Sequence, residues 1–371
     1  MIVFLAMKIA LAQIDSIVGD FKGNADKIVS FTQRARDEES ADLIVFPELA
    51  LCGYPPLDLL DQASFVEGNL RALRSLQKRL PSGIAVGIGH VSLYSKTRGK
   101  PLSNTYSILI DTEVAFSQDK TLLPTYDVFD EARYFESAHE RNAFNWKGER
   151  IGIAICEDLW RDTEPTPGSR YLVDPVRELF DKGISLLLVP SASPYTVGKL
   201  ELRHKLAEKA ASRGGVPVIY INSVGANDSL VFDGRSFVVS PTTDPGEAEY
   251  LGDVPTRIRA LGFEEDLCYW DSAEPGKTLP AKDAVTNELD EIEEALVLGI
   301  RGYMQKCGFK KAHLGFSGGI DSALVAYLCA KAIGADNLVG FGLPLGILQM
   351  VPETMPGNWR KPSAAVSCYC P

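Results

Sequence analysis

The sequence lacks any metal-ligand spacing of cysteine and histidine. Seven cysteines are scattered over 371 residues, and the four histidines show no pairing, so each histidine reads as structural. Cys368 and Cys370 stand one residue apart rather than the two of a zinc or redox pair. An odd number of cysteines without a framework points to a reducing cytoplasm. No apolar run approaches the roughly 20 residues of a membrane span. Met1-Ile2-Val3-Phe4-Leu5-Ala6 carries no basic segment ahead of its apolar piece, so it does not read as a signal peptide. Met7 reads as a start in its own right, because a strand follows at once. Positive charge is also short. The 38 Lys and Arg against 49 Asp and Glu leave a net charge of −11, which argues against nucleic acid or an acidic membrane as a partner. A small anion in a local basic pocket stays open. Hydrophobic residues make up 45% and the mean hydropathy is −0.02, as in a globular enzyme.

What the chain does have is short strand-like runs that end in reactive side chains. Arg150-Ile151-Gly152-Ile153-Ala154-Ile155 reads as a buried strand running into Cys156, with Glu157 and Asp158 behind it. Leu43-Ile44-Val45-Phe46-Pro47 ends in Glu48. Glu113 to Asp119 ends in Lys120. Each alone has an ordinary reading: a buried structural cysteine, a solvated cap, a blunted strand edge. Together they supply a nucleophile, a base and a cation. A thiol needs a base or a nearby positive charge to become a thiolate, and the tetrahedral oxyanion that follows needs a donor aimed at it. Cys52 is a rival nucleophile, but Gly53-Tyr54-Pro55-Pro56 after it reads as a turn. Glu157 and Asp158 read either as supports of the site or as solvated groups, Glu157 leaning towards support.

Phe46-Pro47-Glu48, Lys120 and Ile155-Cys156-Glu157-Asp158 resemble the Glu-Lys-Cys triad of the carbon–nitrogen hydrolases, the nitrilase superfamily. Leu51-Cys52-Gly53-Tyr54-Pro55-Pro56, Ser191-Ala192-Ser193-Pro194-Tyr195 and Leu230-Val231-Phe232-Asp233-Gly234 resemble the glutaminase domain of the glutamine-dependent NAD synthetase family. The likeness runs from about residue 7 to 346. It implies that Cys156 attacks the side-chain amide of glutamine, that Glu48 moves the proton, and that Lys120 stabilises the oxyanion. It further implies that Tyr126, Ser193 and Lys199 hold the glutamine, and that sheets of this type associate into homo-oligomers.

Along the chain, strands are expected at 8–13, 84–90, 104–110, 184–189 and 216–222, and helices at 24–39, 63–80, 173–182 and 200–213. From Phe237 to about Asp283 the sequence reads as a polar, proline-bearing passage. The alternation fits an α/β four-layer αββα sandwich, which is also the fold that the resemblance implies. It is placed at 7–270, with a linker at 271–286.

From Asn287 the pattern changes. Leu289, Ile292, Leu296, Ile300 and Tyr303 recur at helical spacing. Ala312 to Phe316 reads as a strand, Ser317-Gly318-Gly319-Ile320-Asp321-Ser322 as a loop, 323–333 as a helix and 338–343 as a strand. This is one βαβ unit with a glycine-rich first turn, which leaves N–H groups free at a helix N-terminus for phosphate. An ordinary tight turn is the plain alternative. The loop resembles the pyrophosphate loop of ATP pyrophosphatases. The resemblance implies that Gly315, Phe316, Ser317, Gly318, Gly319, Ile320, Asp321 and Ser322 hold ATP, that deamido-NAD is adenylated and then amidated to NAD, and that Mg2+ bridges phosphates. No protein metal ligand is singled out.

Residues 287–346 therefore read as the first part of a doubly wound parallel-sheet domain, since one βαβ unit cannot cover both faces of such a sheet. Residues 347–371 read as a disordered tail foreign to the family. Shifting the reading frame after Gly346 permits a Tyr-Ser-Ser-type continuation, in which Met350-Val351, Met355-Pro356 and Asn358-Trp359 force Gly, Ala and Leu. A frameshifted, truncated gene product without NAD-forming activity is the expectation; a divergent natural tail is the alternative. Two other functions stay open: a free-standing amidase, which the pyrophosphate loop argues against, and a catalytically dead assembly subunit, which ammonia release from glutamine would exclude.

Overall fold

The computed structural model describes residues 7–94, 99–162, 171–241, 256–275, 277 and 287–342. The chain divides into two compact units, Met1–Thr286 and Asn287–Pro371.

The first unit runs β1 (Lys8–Gln13), α1 (Phe21–Glu39), β2 (Leu43–Val45), α2 (Ala63–Gln77), β3 (Ala85–Leu93), β4 (Leu102–Ile110), β5 (Glu113–Asp119), α3 (Glu131–Tyr134), β6 (Ala143–Trp146) and β7 (Glu149–Ile153). It continues through α4 (Pro175–Asp181), β8 (Leu186–Ser191), α5 (Lys199–Gly214), β9 (Val218–Asn222), β10 (Val224–Asn227), β11 (Leu230–Asp233), β12 (Phe237–Val239), β13 (Thr256–Arg259) and β14 (Asp266–Asp271). Two six-stranded sheets form, in the orders β14-β1-β2-β3-β4-β5 and β13-β12-β9-β8-β7-β6, with β10 and β11 as a separate pair.

Side chains alternate across a strand, and here both faces are apolar. Ile9 and Leu11 of β1 and Leu43 and Val45 of β2 face Ile151 and Ile153 of β7, Leu186 and Leu188 of β8, and Ile219 and Ile221 of β9. The opposite faces carry Ala10, Ala12 and Ile44, which pack on Ile28, Phe31 and Ala35 of α1. On the second sheet Leu187, Val189 and Val218 pack on Leu179 of α4 and on Leu206 and Ala207 of α5. The layers are therefore helix, sheet, sheet, helix, as expected. Full burial of one such side chain contributes about 1.5–3 kcal/mol, whereas exposed pairs such as Lys22–Asp26 are screened by water, so the three apolar layers hold the unit.

Local chemistry sets the helix ends. Asp20 accepts a hydrogen bond from Gly23 N–H at 2.8 Å, which starts α1 three residues before the apolar pattern does. Asp174 caps α4, with Pro175 at its first position.

Two strands contradict the expectation of a purely polar passage after Phe237. β14 pairs antiparallel with β1 from Lys8↔Asp271 to Gln13↔Asp266, and β13 pairs with β12. Their strand character comes from the partner rather than from local pattern. The cysteine strand also ends earlier than its apolar run, at Ile153, and Cys156 opens a 3-10 turn to Asp162.

The second unit holds α6 (Glu288–Lys306), β15 (Ala312–Phe316), α7 (Ile320–Ile333) and β16 (Leu338–Gly342). β15 and β16 pair in parallel, with α7 as the crossover. Val297, Leu328 and Ala332 form its small core. Val339 and Phe341 of β16 and Leu324 of α7 remain about half exposed, as expected for a single βαβ unit. The expected tail at 347–371 lies outside the described residues.

Gly89 on β3 has a specific steric role. A Cβ there would stand 2.2 Å from the backbone N of Leu49 and 2.9 Å from the Cα of Glu48. We expect Gly89→Ala to destabilise the unit by about 1–3 kcal/mol, as overpacking does, and to displace Glu48. A denaturation midpoint equal to that of the wild type would contradict this.

Candidate active site

Glu48 follows β2, Lys120 follows β5 and Cys156 follows β7, so the first sheet presents the carboxylate and the cation and the second presents the thiol. All three are buried. Lys120 Nζ donates to Glu48 Oε1 at 2.7 Å and to Glu131 Oε1 at 2.8 Å. Glu48 Oε1 also accepts from Asn104 Nδ2 at 2.7 Å, and its Oε2 from the Ala192 N–H at 3.0 Å. Tyr54 donates to Glu131 at 2.9 Å.

Cys156 sits at φ +45°, a left-handed conformation that is unusual for a side chain with a Cβ. This turn aims the residue out of the strand line, and the buried Asp158 behind it accepts from the Ile155 N–H at 3.0 Å.

The electrostatics follow from burial. Burial opposes the Lys120 charge, but the carboxylates of Glu131 and Glu48 outweigh it and hold the ammonium well above the usual lysine range. Burial also raises the Cys156 thiol; Glu48 raises it further and Lys120 pulls it back. The resting residue is a thiol, one that needs a base. Burial pushes the Glu131 carboxyl up, against the pull of Lys120.

The three residues expected around the glutamine lie on the second-sheet side or face it. Tyr126 donates its hydroxyl to both oxygens of Glu157, at 3.0 and 2.9 Å, and Tyr171 donates to Glu157 Oε1 at 2.9 Å. Lys199 Nζ lies 4.3 Å from the Trp160 ring centroid, and burial lowers its pKa. Ser193 is fixed by Asn222 and by Arg203, whose Nε donates to its hydroxyl at 3.1 Å. Arg203 is itself paired with Asp233 at 2.8 Å, and both are buried. Glu157 and Asp158 are buried supports, not solvated groups.

Cys52 is buried, with its thiol pushed up to about 12 chiefly by burial. His90 is buried against Ser107 and His204 stacks on Phe237, both structural placements. The reading by strand ends missed Glu131 and Asn104. Glu131 opens a four-residue helix with no apolar run before it, so only its contact with Lys120 reveals it.

In the second unit the stretch from Gly315 to Ser322 joins β15 to α7. Gly318 has φ +82°, and Gly319 is the N-cap without a side-chain capping bond. Ser322 Oγ donates to the Gly319 carbonyl at 2.9 Å, and the Gly319 N–H donates to Ser317 Oγ at 3.3 Å. The turn is exposed, with the N-terminus of α7 open above it. Among the described residues no three His, Cys, Asp or Glu stand together as metal ligands, and Mg2+ held by nucleotide phosphates with one or two carboxylates needs no such cluster.

The model of the carbon–nitrogen hydrolase family matches residues 8–244. The chain belongs to this family. The NAD synthase model matches residues 292–354. A glutamine-dependent NAD(+) synthetase of Synechocystis sp. is 42% identical over 344 residues, covering 91% of this chain and 59% of that protein. A solved glutamine-dependent NAD+ synthetase from Acinetobacter baumannii, in complex with ADP, superposes with a TM-score of 0.80 at 31% identity, covering 92% of this chain and 60% of that one. The chain thus spans about three-fifths of the length of these relatives. A nitrilase-superfamily amidase from Nesterenkonia, in a variant carrying the acetamide moiety of fluoroacetamide on its active-site cysteine, matches with a TM-score of 0.57 at 25% identity over 71% of this chain and 89% of its own. The carbon–nitrogen hydrolase fold read from the sequence is therefore the fold of the first unit.

Because Glu48 raises and Lys120 lowers the Cys156 thiol pKa, two substitutions should act in opposite directions. Glu48→Gln should speed iodoacetamide capture of Cys156 at neutral pH, by roughly tenfold for each unit that the pKa falls. Lys120→Met should slow it. Mass spectrometry of the Cys156 peptide reads both; equal rates in the two variants would separate the thiol from these charges.

Proposed function

We propose that the first unit hydrolyses the side-chain amide of glutamine. The observation that carries this is the buried set Glu48, Lys120, Glu131 and Cys156, in which one hydrogen-bonding position on each key group remains. An ammonium has three N–H groups; two of those on Lys120 go to Glu48 and Glu131. The third would be the donor to the oxyanion. A carboxylate has about four lone-pair sites, and Glu48 uses three, on Lys120, Asn104 and the Ala192 N–H. The fourth receives the thiol proton.

In the first step the Cys156 sulfur attacks the amide carbon while Glu48 takes its proton. Lys120 and backbone N–H groups beside Cys156 stabilise the tetrahedral oxyanion. Glu48 returns the proton to the departing ammonia, leaving a glutamyl thioester. Water, activated by Glu48, then cleaves the thioester and releases glutamate and Cys156. Tyr126, Ser193 and Lys199 hold the substrate. Lys199 offers a cation for the α-carboxylate, and Tyr126 is preset on Glu157.

We read the second unit as the ATP-binding start of an NAD synthetase module, in which ammonia displaces AMP from adenylated deamido-NAD. Gly315 to Ser322 would cradle the pyrophosphate through backbone N–H groups at the α7 terminus. Magnesium would enter with the nucleotide phosphates and supply charge neutralisation there. A cytoplasmic homo-oligomer is the setting this reading implies. Glutamine hydrolysis is the part of the reaction for which the described residues carry the chemistry.

Ammonia release should be faster with glutamine than with short neutral amides, and Cys156→Ala should abolish it while the melting transition stays within a few degrees. Faster cleavage of a short amide would favour the free-standing amidase reading instead. No ammonia from any amide would leave an assembly role.

A further inference from the structure

Asp158 takes no part in the steps above, yet it is 2% exposed and its carboxylate is surrounded by backbone donors. Its Oδ1 accepts from the Thr121 N–H at 3.0 Å and from the Leu122 N–H at 2.7 Å. Its Oδ2 accepts from the Ile155 N–H at 3.0 Å. Thr121 and Leu122 directly follow Lys120, off the edge strand β5 of the first sheet. Ile155 directly precedes Cys156, beyond β7 of the second sheet. One carboxylate therefore joins the segment that carries the cation to the segment that carries the nucleophile.

The two sheets otherwise meet through apolar side chains and a few polar links, such as the Ala192 N–H to Glu48 and Tyr126 to Glu157, of which none among the described residues bonds the segment before Cys156 to the residues directly after Lys120. Apolar burial is non-directional, so it sets the layer spacing but not the register of two loop ends. Hydrogen bonds from three N–H groups to one charged acceptor fix both distance and direction. An uncompensated buried carboxylate would be costly, and these three donors supply the compensation. An asparagine cannot reproduce the arrangement. If its oxygen served Thr121 and Leu122, its NH2 would face the Ile155 N–H, donor against donor.

We propose that Asp158 is a positioning residue that sets the separation of the Lys120 ammonium and the Cys156 thiol by clamping the ends of β5 and β7. It acts through Lys120 and Cys156 and touches no reacting atom. The proposal rests on the amide-hydrolase reading of the site, and one arm of its test does not.

The test compares the full chain with Asp158→Asn and Asp158→Glu at pH 8. Asp158→Asn keeps the shape and breaks one bond; Asp158→Glu keeps the charge and lengthens the clamp by a methylene. For both, kcat for amide hydrolysis should fall on the order of 100-fold, the loss expected from about 1 Å of misplacement. KM should stay within about threefold, because the groups that hold the substrate are not moved. Iodoacetamide capture of Cys156 should slow several-fold, since Lys120, which draws the thiol pKa down, is no longer held beside it. Both variants should keep a cooperative thermal transition. Unchanged kcat and unchanged alkylation in Asp158→Asn would overturn the proposal, as would a rise in KM with kcat preserved. Failure of both variants to fold would make Asp158 a determinant of the fold and overturn it too. If the wild-type chain turned over no amide, the amide-hydrolase reading would fall, and the alkylation rates would still decide the role of Asp158.

Discussion

The Lys120 ammonium between two buried carboxylates is the interaction on which the site depends. Lys120 is 1% exposed, and its partners Glu48 and Glu131 are no more than 5% exposed. Such a charge is tolerated in an apolar interior only while its partners remain, and removing one partner of a buried pair costs about 3–5 kcal/mol. The pair constrains four strands. Glu48 and Lys120 leave β2 and β5, with β3 and β4 between them. Neighbouring strands lie about 4.8 Å apart, so the two residues start roughly 14 Å from each other and must curl inward to meet. Gly89 on β3 makes room for the Glu48 turn, and Asn104 on β4 donates to both carboxylates. The pairing of these charges and the packing of the strand ends are thus one problem with one solution.

The second sheet contributes in a complementary way. It brings a thiol that burial keeps protonated and the Ala192 N–H that orients Glu48. A protonated thiol suits the hydrolysis proposed above, in which Glu48 and the sulfur exchange a proton. A permanently ionised thiolate would bring its charge into a site that already holds several carboxylates. The left-handed φ of Cys156 is local strain of the kind held in place by its surroundings, here by the bonds of Asp158 to Ile155 and to the Lys120 segment.

Much of this was legible in the sequence, and for identifiable reasons. Glu48 and Cys156 each follow an apolar run and Lys120 ends a strand-like run, and a strand end is where a rigid element meets an open site. The αββα order could be read because strands and helices alternate along the chain, and the apolar faces of β1, β2, β8 and β9 take those helices on one side and the other sheet on the other. What could not be read has its cause far away in the chain. Glu131 has no local pattern and gains its meaning from Lys120. Asp158 looks the same whether solvated or clamping. β13 and β14 carry too little periodicity to stand out from a polar passage, and exist because β12 and β1 offer them edges. Local pattern identifies the pieces that carry their own signal, and tertiary pairing decides the rest.

The pairing of β14 with β1 has a consequence for how the chain is made. Lys8 to Gln13 leave a ribosome before their partners, and Asp271 to Asp266 follow more than 250 residues later. At about 5–20 residues per second, one edge of β1 stays open for tens of seconds during synthesis. That strand is short, apolar and a ready template for a wrong neighbour. Nascent chains therefore carry an unprotected edge while these 250 residues are made, and crowded synthesis or a shortage of chaperones should lower the yield of the folded first unit before any property of the finished molecule matters.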